Sequence, residues 1–382
     1  MRPGVSSCNR WIQLLAFTPL FLSATPSLGA APLALLSPAA SDTVSITAPE
    51  VVAATPGNAK TPAVACLPDG SVHIAWHDFS LDPASLYYAV SGDGGWRAEP
   101  LALLAGKSIR PALVADGERL HLLWESYQTS TAEIYHAVLE HGDWSPAQPV
   151  AEGSLISAAK GGDGRLHAVF FQNRYPVHYI FDGSSWVAGG AIAVSEPYIN
   201  SFRLKVLGVS GGLRLALATS AGDEGYDIRL FDWTASAGWG RERTLYRSSG
   251  LSSDDVGGAV DSRGVPRWTW TEQDPNDVYA FGIVTMAEAD AAPVWVARRT
   301  GYAMSPELAF LPDDREVVAW TTPEGSVAAS VAPHAGELAV SSGAGDMPRM
   351  ATDAGGTVHV VYYGSDESGV QQIWHAEVRA GS

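Results

Sequence analysis

One pattern recurs along almost the whole chain and limits the folds open to it. A glycine is followed six residues later by a bulky apolar residue, with an alternating β-rich run between, at Gly70 to Trp76, Gly164 to Phe170, Gly264 to Trp270 and Gly356 to Tyr362. Gly117 reaches Trp124 through a turn one residue longer, Gly212 leads more weakly to Leu217, and Arg315 stands near the start of the run ending at Trp320. The anchors 76, 124, 170, 217, 270, 320 and 362 are 48, 46, 47, 53, 50 and 42 residues apart. That period fits a four-stranded propeller blade, so the expected fold is all-β: a single β-propeller of seven four-stranded blades. A right-handed β-solenoid is the main rival, but its coils are usually shorter.

Each unit parses alike. A first strand such as residues 62–65 or 111–114 meets an Asp/Gly turn, then the anchor strand, a polar loop, and a third strand such as 86–90, 134–138 or 177–181. A tight turn and a tryptophan follow, at Trp96, Trp144, Trp186, Trp239 and Trp295. These five and the four anchor tryptophans make nine of the twelve that follow Trp11, so a tryptophan here marks blade packing before it marks a ligand platform. The last unit has three evident strands, ending at Val378, and residues 44–52 are the expected fourth. That pairing closes the ring and removes open sheet edges.

Residues 1–30 read as a signal peptide: Arg2 and Arg10 lead into an apolar run from Trp11 to Leu22, and small residues precede Ala31. An N-terminal anchor is the alternative, but a dozen or so apolar residues interrupted by Pro19 are too few to span a bilayer as a helix. Residues 31–43 read as a linker and 44–382 as the propeller, secreted or periplasmic after cleavage. No later stretch has the length and apolarity of a membrane span. With Cys8 in the leader, Cys66 is left as a lone thiol, unable to form an internal disulfide. The net charge of −17 becomes −19 once Arg2 and Arg10 are removed, and it argues against nucleic acid as a partner.

At the turns the chain resembles the sialidase-like propellers, also described by their BNR or Asp-box repeats. Ser91-Gly92-Asp93-Gly94-Gly95-Trp96 is similar to the Asp-box but two residues short, Asp182-Gly183-Ser184-Ser185-Trp186 keeps Asp, Gly and Trp, and Asp143-Trp144 keeps less. The resemblance covers residues 44–380 at the level of repeat form. It implies a ligand site on the face away from these turns. In the sialidases it implies six blades, three arginines on the substrate carboxylate, a Tyr/Glu nucleophile pair and an acidic residue. Arg110 before Pro111 resembles that group's arginine strand with one residue missing, and Arg203 and Arg349 sit at similar repeat positions. Seven repeats depart from the six-bladed plan, and no Tyr/Glu pair is assignable from sequence.

His73, His121, His167 and His359 occupy one column of the repeat. Equivalent residues of successive blades stand too far apart to share one ion, so they read as structural histidines and no metal site is assigned to them. Ligand chemistry belongs in the loops, where Asp78, Glu125, Tyr127, Arg174, Tyr175 and Glu272 join the three arginines as candidates. Asp274 to Asp277 and Gly222 to Asp227 could hold calcium through oxygen ligands, without EF-hand spacing. Phosphate-binding glycine loops, His-Glu-x-x-His and Gly-x-Ser-x-Gly are lacking. Three functions stay open: a glycan-binding module, a glycoside hydrolase or polysaccharide lyase, and a protein-interaction scaffold.

Overall fold

The computed structural model describes residues 43–53, 57–80, 82–195, 204–220, 225–248, 255–334 and 336–381. The expected leader and all of the expected linker but Thr43 lie outside them. All regular structure among the described residues is β-strand, in seven antiparallel sheets. In chain order the blades span residues 59–101, 107–152, 154–191, 204–247, 256–300, 304–339 and 346–380, here blades 1 to 7. The seven anchors all fall on second strands, as the repeat predicts. No helix among the described residues is long and apolar enough to cross a membrane.

First strands contact one another in sequence, and that of blade 7, Asp346–Thr352, contacts that of blade 1, Ala59–Cys66, so the ring closes around a channel. The latch is the expected one. Val44–Ile46 and Glu50–Ala53 both pair antiparallel with Gln371–Ala380, Val44 opposite Ala380 and Glu50 opposite His375. Pairing the two termini in one sheet covers an edge that would otherwise present unpaired amides and carbonyls.

Among the described residues the core is divided. Its buried apolar residues form seven clusters, one at each seam between consecutive blades. A blade buries both faces only by stacking on its neighbours, which is why the second strands are buried almost throughout. Trp76, Trp124, Phe170, Trp320 and Tyr362 are fully buried.

Register shows why a bulky anchor recurs where it does. In blades 1, 2, 3, 6 and 7 the first strand carries two residues opposite one on the second strand, and that one is the anchor. The first bulge residue is left-handed in each case: Thr61, Arg110, Leu155, Ser305 and Met347, with φ between 42° and 57°. Four of these precede a proline, which lacks an N–H and so loses nothing by leaving the ladder. Bulges re-aim side chains, and here all five do so at the same end of the channel.

The histidine column is structural in its main features, but its partners differ from the sequence expectation, which did not pair histidines within a blade. Imidazole nitrogens of His121 and His136, of His167 and His178, and of His359 and His375 lie 2.9 Å apart, and His73 meets the Tyr88 hydroxyl at 2.6 Å. The strand-3 ring of each pair then takes the edge of a fourth-strand tryptophan from the following blade: Trp144 on Tyr88, Trp186 on His136, Trp239 on His178 and Trp96 on His375, with centroids 5.1 to 5.3 Å apart. In blades 4 and 5 the same column carries Arg214 and Arg267, which reach carboxylates of the next blade, Glu288 and Glu316.

Candidate functional site

Antiparallel strand order puts the starts of first and third strands and the ends of second strands at one end of the ring. At this mouth the first strands enclose a cavity of about 610 Å³, lined by residues of all seven blades. Such a volume suits a small organic ligand.

In several blades the residue after the anchor braces this end. Glu125 is fully buried; its Oε2 accepts Arg110 Nη1 at 2.9 Å, and its Oε1 accepts the Leu155 N–H of blade 3 at 2.7 Å. His77 Nδ1 accepts the Arg110 N–H of blade 2 at 3.3 Å, and Thr321 Oγ1 accepts the Met347 N–H of blade 7 at 3.1 Å. Three blades thus cap the left-handed residue of their neighbour, giving the re-aimed backbone N–H a partner. Burial, reinforced by the Arg110 charge, pushes the His77 imidazole down to about 3, so it stays a neutral acceptor.

Each of three cations at the cavity meets a carboxylate, two of them the same one. Arg110 is held by Glu125, Lys205 Nζ donates to Glu307 Oε2 at 2.9 Å, and Arg349 Nη1 lies 3.6 Å from Glu307 Oε1. Asp346 accepts the Thr321 and Tyr363 hydroxyls, and Asp255 accepts that of Ser305. Tyr127 donates to Glu125 Oε2 at 3.3 Å; burial and that carboxylate raise the phenol further, so it keeps its proton. The wall therefore offers both hydrogen-bond donors and acceptors, an arrangement suited to hydroxyl groups.

The sequence candidates divide. Arg110 and Arg349 line the cavity together, with Glu125 behind Arg110 and Tyr127 beside it. Arg203 lies outside the described residues. Asp78 is buried and caps the Ser80 N–H, a local brace. Glu272 is buried at the seam of blades 4 and 5, where Ser248 Oγ and Trp270 Nε1 donate to it; burial raises its proton affinity, but it does not line the cavity. Arg174 forms a two-residue hairpin turn with Asn173, both left-handed, and Tyr175 follows on the rim. Of the calcium candidates, Asp274 accepts Arg298 and the Asn276 N–H, while Asp227 is engaged by Arg229 and Arg247.

Lys205, Asp255, Tyr302 and Glu307 line the cavity and were not singled out in the sequence. For Glu307 the available signal was the proline that opens its first strand, Ser305-Pro306, a pattern shared by Thr61-Pro62, Arg110-Pro111 and Met347-Pro348; Lys205 and Asp255 have no such marker. Around the mouth stand the four exposed aromatic side chains among the described residues: Phe79, Tyr175, Tyr279 and Tyr302. Each belongs to a second-strand end, a third-strand start or the approach to a first strand, so all four share one face.

No family model matches the chain, and no curated protein matches it. Solved structures do match in fold. An α-L-arabinanase from Penicillium chrysogenum, complexed with arabinobiose, is 14% identical with a TM-score of 0.55, covering 88% of this chain and 98% of its own. A protein of unknown function from Dyadobacter fermentans is 16% identical with a TM-score of 0.54, covering 88% and 99%. The β-propeller domain of the Trilobed protease from Pyrococcus furiosus, described as having an open velcro topology, is 13% identical with a TM-score of 0.53, covering 85% and 95%. At these identities the likeness shows a shared propeller architecture.

Proposed function

We propose that the channel mouth binds saccharide. The observation that carries this reading is the shared face of Phe79, Tyr175, Tyr279 and Tyr302, exposed at the end of the ring where the cavity opens among fixed donors and acceptors. Aromatic faces cover the C–H faces of sugar rings, while fixed donor–acceptor pairs such as Arg110–Glu125 and Lys205–Glu307 meet their hydroxyls. The likeness to an arabinanase complexed with a disaccharide is consistent with it. With residues 1–30 read as a leader, the proposed place of binding is the periplasm or outside the cell. A glycan panel with calorimetry of any hit tests the proposal: saturable binding is expected, weakened about tenfold or more, equal to 1.4 kcal/mol or more, by Tyr302→Ala and by Lys205→Ala. Absence of saturable binding across neutral and acidic polysaccharides by the folded protein overturns it and leaves the scaffold reading.

Hydrolysis of a glycosidic bond is the second reading, drawn from the contact of Tyr127 with Glu125 beside Arg110. It is weaker, because the phenol is held protonated, whereas a nucleophile must lose its proton. Turnover of a bound oligosaccharide, abolished by Tyr127→Phe with binding retained, would put hydrolysis in place of binding alone.

A further inference from the structure

The histidine pair of blade 7 differs from that of blade 3 in the partner of its strand-3 ring's outer nitrogen. His359 Nε2 lies 3.1 Å from Asp353 Oδ2, and His375 Nδ1 lies 3.1 Å from Glu50 Oε1. Carboxylate oxygens accept, so each neutral ring carries its proton on the outer nitrogen. The inner nitrogens, His359 Nδ1 and His375 Nε2, then face each other as bare lone pairs 2.9 Å apart. In blade 3, by contrast, His178 Nδ1 has the Trp239 indole N–H at 3.2 Å as well as the Gly189 carbonyl at 3.1 Å. That ring has a tautomer open for an ordinary hydrogen bond to His167. In blade 7 the corresponding tryptophan, Trp96, gives its N–H to Glu50 Oε1 at 2.9 Å.

A third ligand stands beside the pair. Glu377 is two residues after His375 on the same strand and directly opposite His359, so all three side chains share one face of the sheet. Donor atoms of His359, His375 and Glu377 lie within 4.8 Å of one another, with Glu377 Oε1 3.9 Å from His359 Nδ1. The same repeat position holds Val90 in blade 1, Val138 in blade 2 and Ile180 in blade 3. Among the blades that pair rings across these strands, blade 7 has the carboxylate, whereas in blade 4 the position opposite Arg214 holds Asp232; the desolvation cost of Glu377 is met on its second oxygen by Arg379.

We propose that His359, His375 and Glu377 form a zinc site. Two imidazoles and a carboxylate match the ion's preferred donors, leaving one position for water. Bonds of about 2.0–2.1 Å require the two imidazoles to open by a few tenths of an ångström. Asp353 and Glu50 orient the rings and raise their basicity, the usual role of carboxylates behind metal-binding histidines. Because Glu50 belongs to the N-terminal latch and the ligands to the C-terminal blade, the ion would staple the ring where its two ends meet.

Titration of the chelator-stripped full chain with Zn²⁺, by calorimetry and by thermal melting, tests the site. One equivalent is expected to bind and to raise the melting temperature, and Co²⁺ in its place is expected to give visible d–d absorption. Glu377→Val, which installs the residue of blades 1 and 2, is expected to remove saturable binding, and Glu50→Gln to weaken it about 10–100-fold. Circular dichroism checks that both variants are folded. No stoichiometric uptake by the wild-type chain, or undiminished uptake by folded Glu377→Val, overturns the proposal.

Discussion

Blades 7, 1, 2 and 3 are joined differently from blades 4, 5 and 6. In the first group, aromatic rings cross the seams: a strand-2 histidine, held by a turn aspartate or serine in blades 7, 1 and 3, meets a strand-3 histidine or tyrosine, which takes a tryptophan edge from the next blade. In the second, full charges cross: Arg214 to Glu288 and Arg267 to Glu316. The same repeat column serves both purposes. One fold therefore tolerates two chemistries at a seam.

The two groups should fail under different stresses, and the largest effect expected lies in the histidine half, at the latch. Deleting residues up to 53 removes both strands that pair with Gln371–Ala380, along with burial of Val52, and leaves the edge of blade 7 open. Several backbone hydrogen bonds at about 1 kcal/mol each, plus the lost apolar burial, approach the roughly 5–15 kcal/mol that hold whole domains. The shortened chain should aggregate, or melt at least about 10 °C below one starting at residue 31. Equal melting temperatures would mean that the latch carries no weight.

Acid comes next. Burial holds His73 and His178 at about 4 and His136 at about 3, below the ordinary 6.5. Between those values and 6.5 the unfolded chain binds more protons than the folded one, so this stability is complete above pH 6.5, falls as pH drops, and is gone near pH 3–4. Each group contributes on the order of 3 kcal/mol over that window. Hydrogen exchange at pH 4.5 should therefore show blades 1 to 3 opening before blades 4 to 6. Uniform opening would remove the distinction between the halves.

In the arginine half, Arg267→Met should leave Glu316 buried without its guanidinium and cost about 1–3 kcal/mol, read as a lower urea midpoint at neutral pH. The effect should shrink in about 1 M salt, where the wild-type pair is itself partly screened. Smallest of all, Tyr279→Ala on the rim, 77% exposed, should shift stability by no more than about 0.5 kcal/mol while weakening saccharide binding. A large loss of stability there would make Tyr279 a packing residue and weaken the functional reading.

Blade number, blade order, the anchor on each second strand and the closing strand at residues 44–52 were all legible in the sequence. They rest on local signals: period-two alternation, Asp/Gly turns and a fixed repeat length, each set by a few neighbouring residues. The left-handed bulges were not legible, because a bulge is a fact about register between two strands, even though the prolines after Thr61, Arg110, Ser305 and Met347 mark their places. Nor were the partners across the seams. Arg214 and Glu288 are 74 positions apart, and Lys205 and Glu307 are 102 apart. Such pairs meet only because rotation from blade to blade brings particular strand ends together, and that rotation is set by how the packed faces fit rather than by any one repeat. The sequence by itself determined the seven units and their closure; the tertiary structure decided which charges share the channel, which rings share a seam, and that blade 7 alone sets a carboxylate beside its paired histidines.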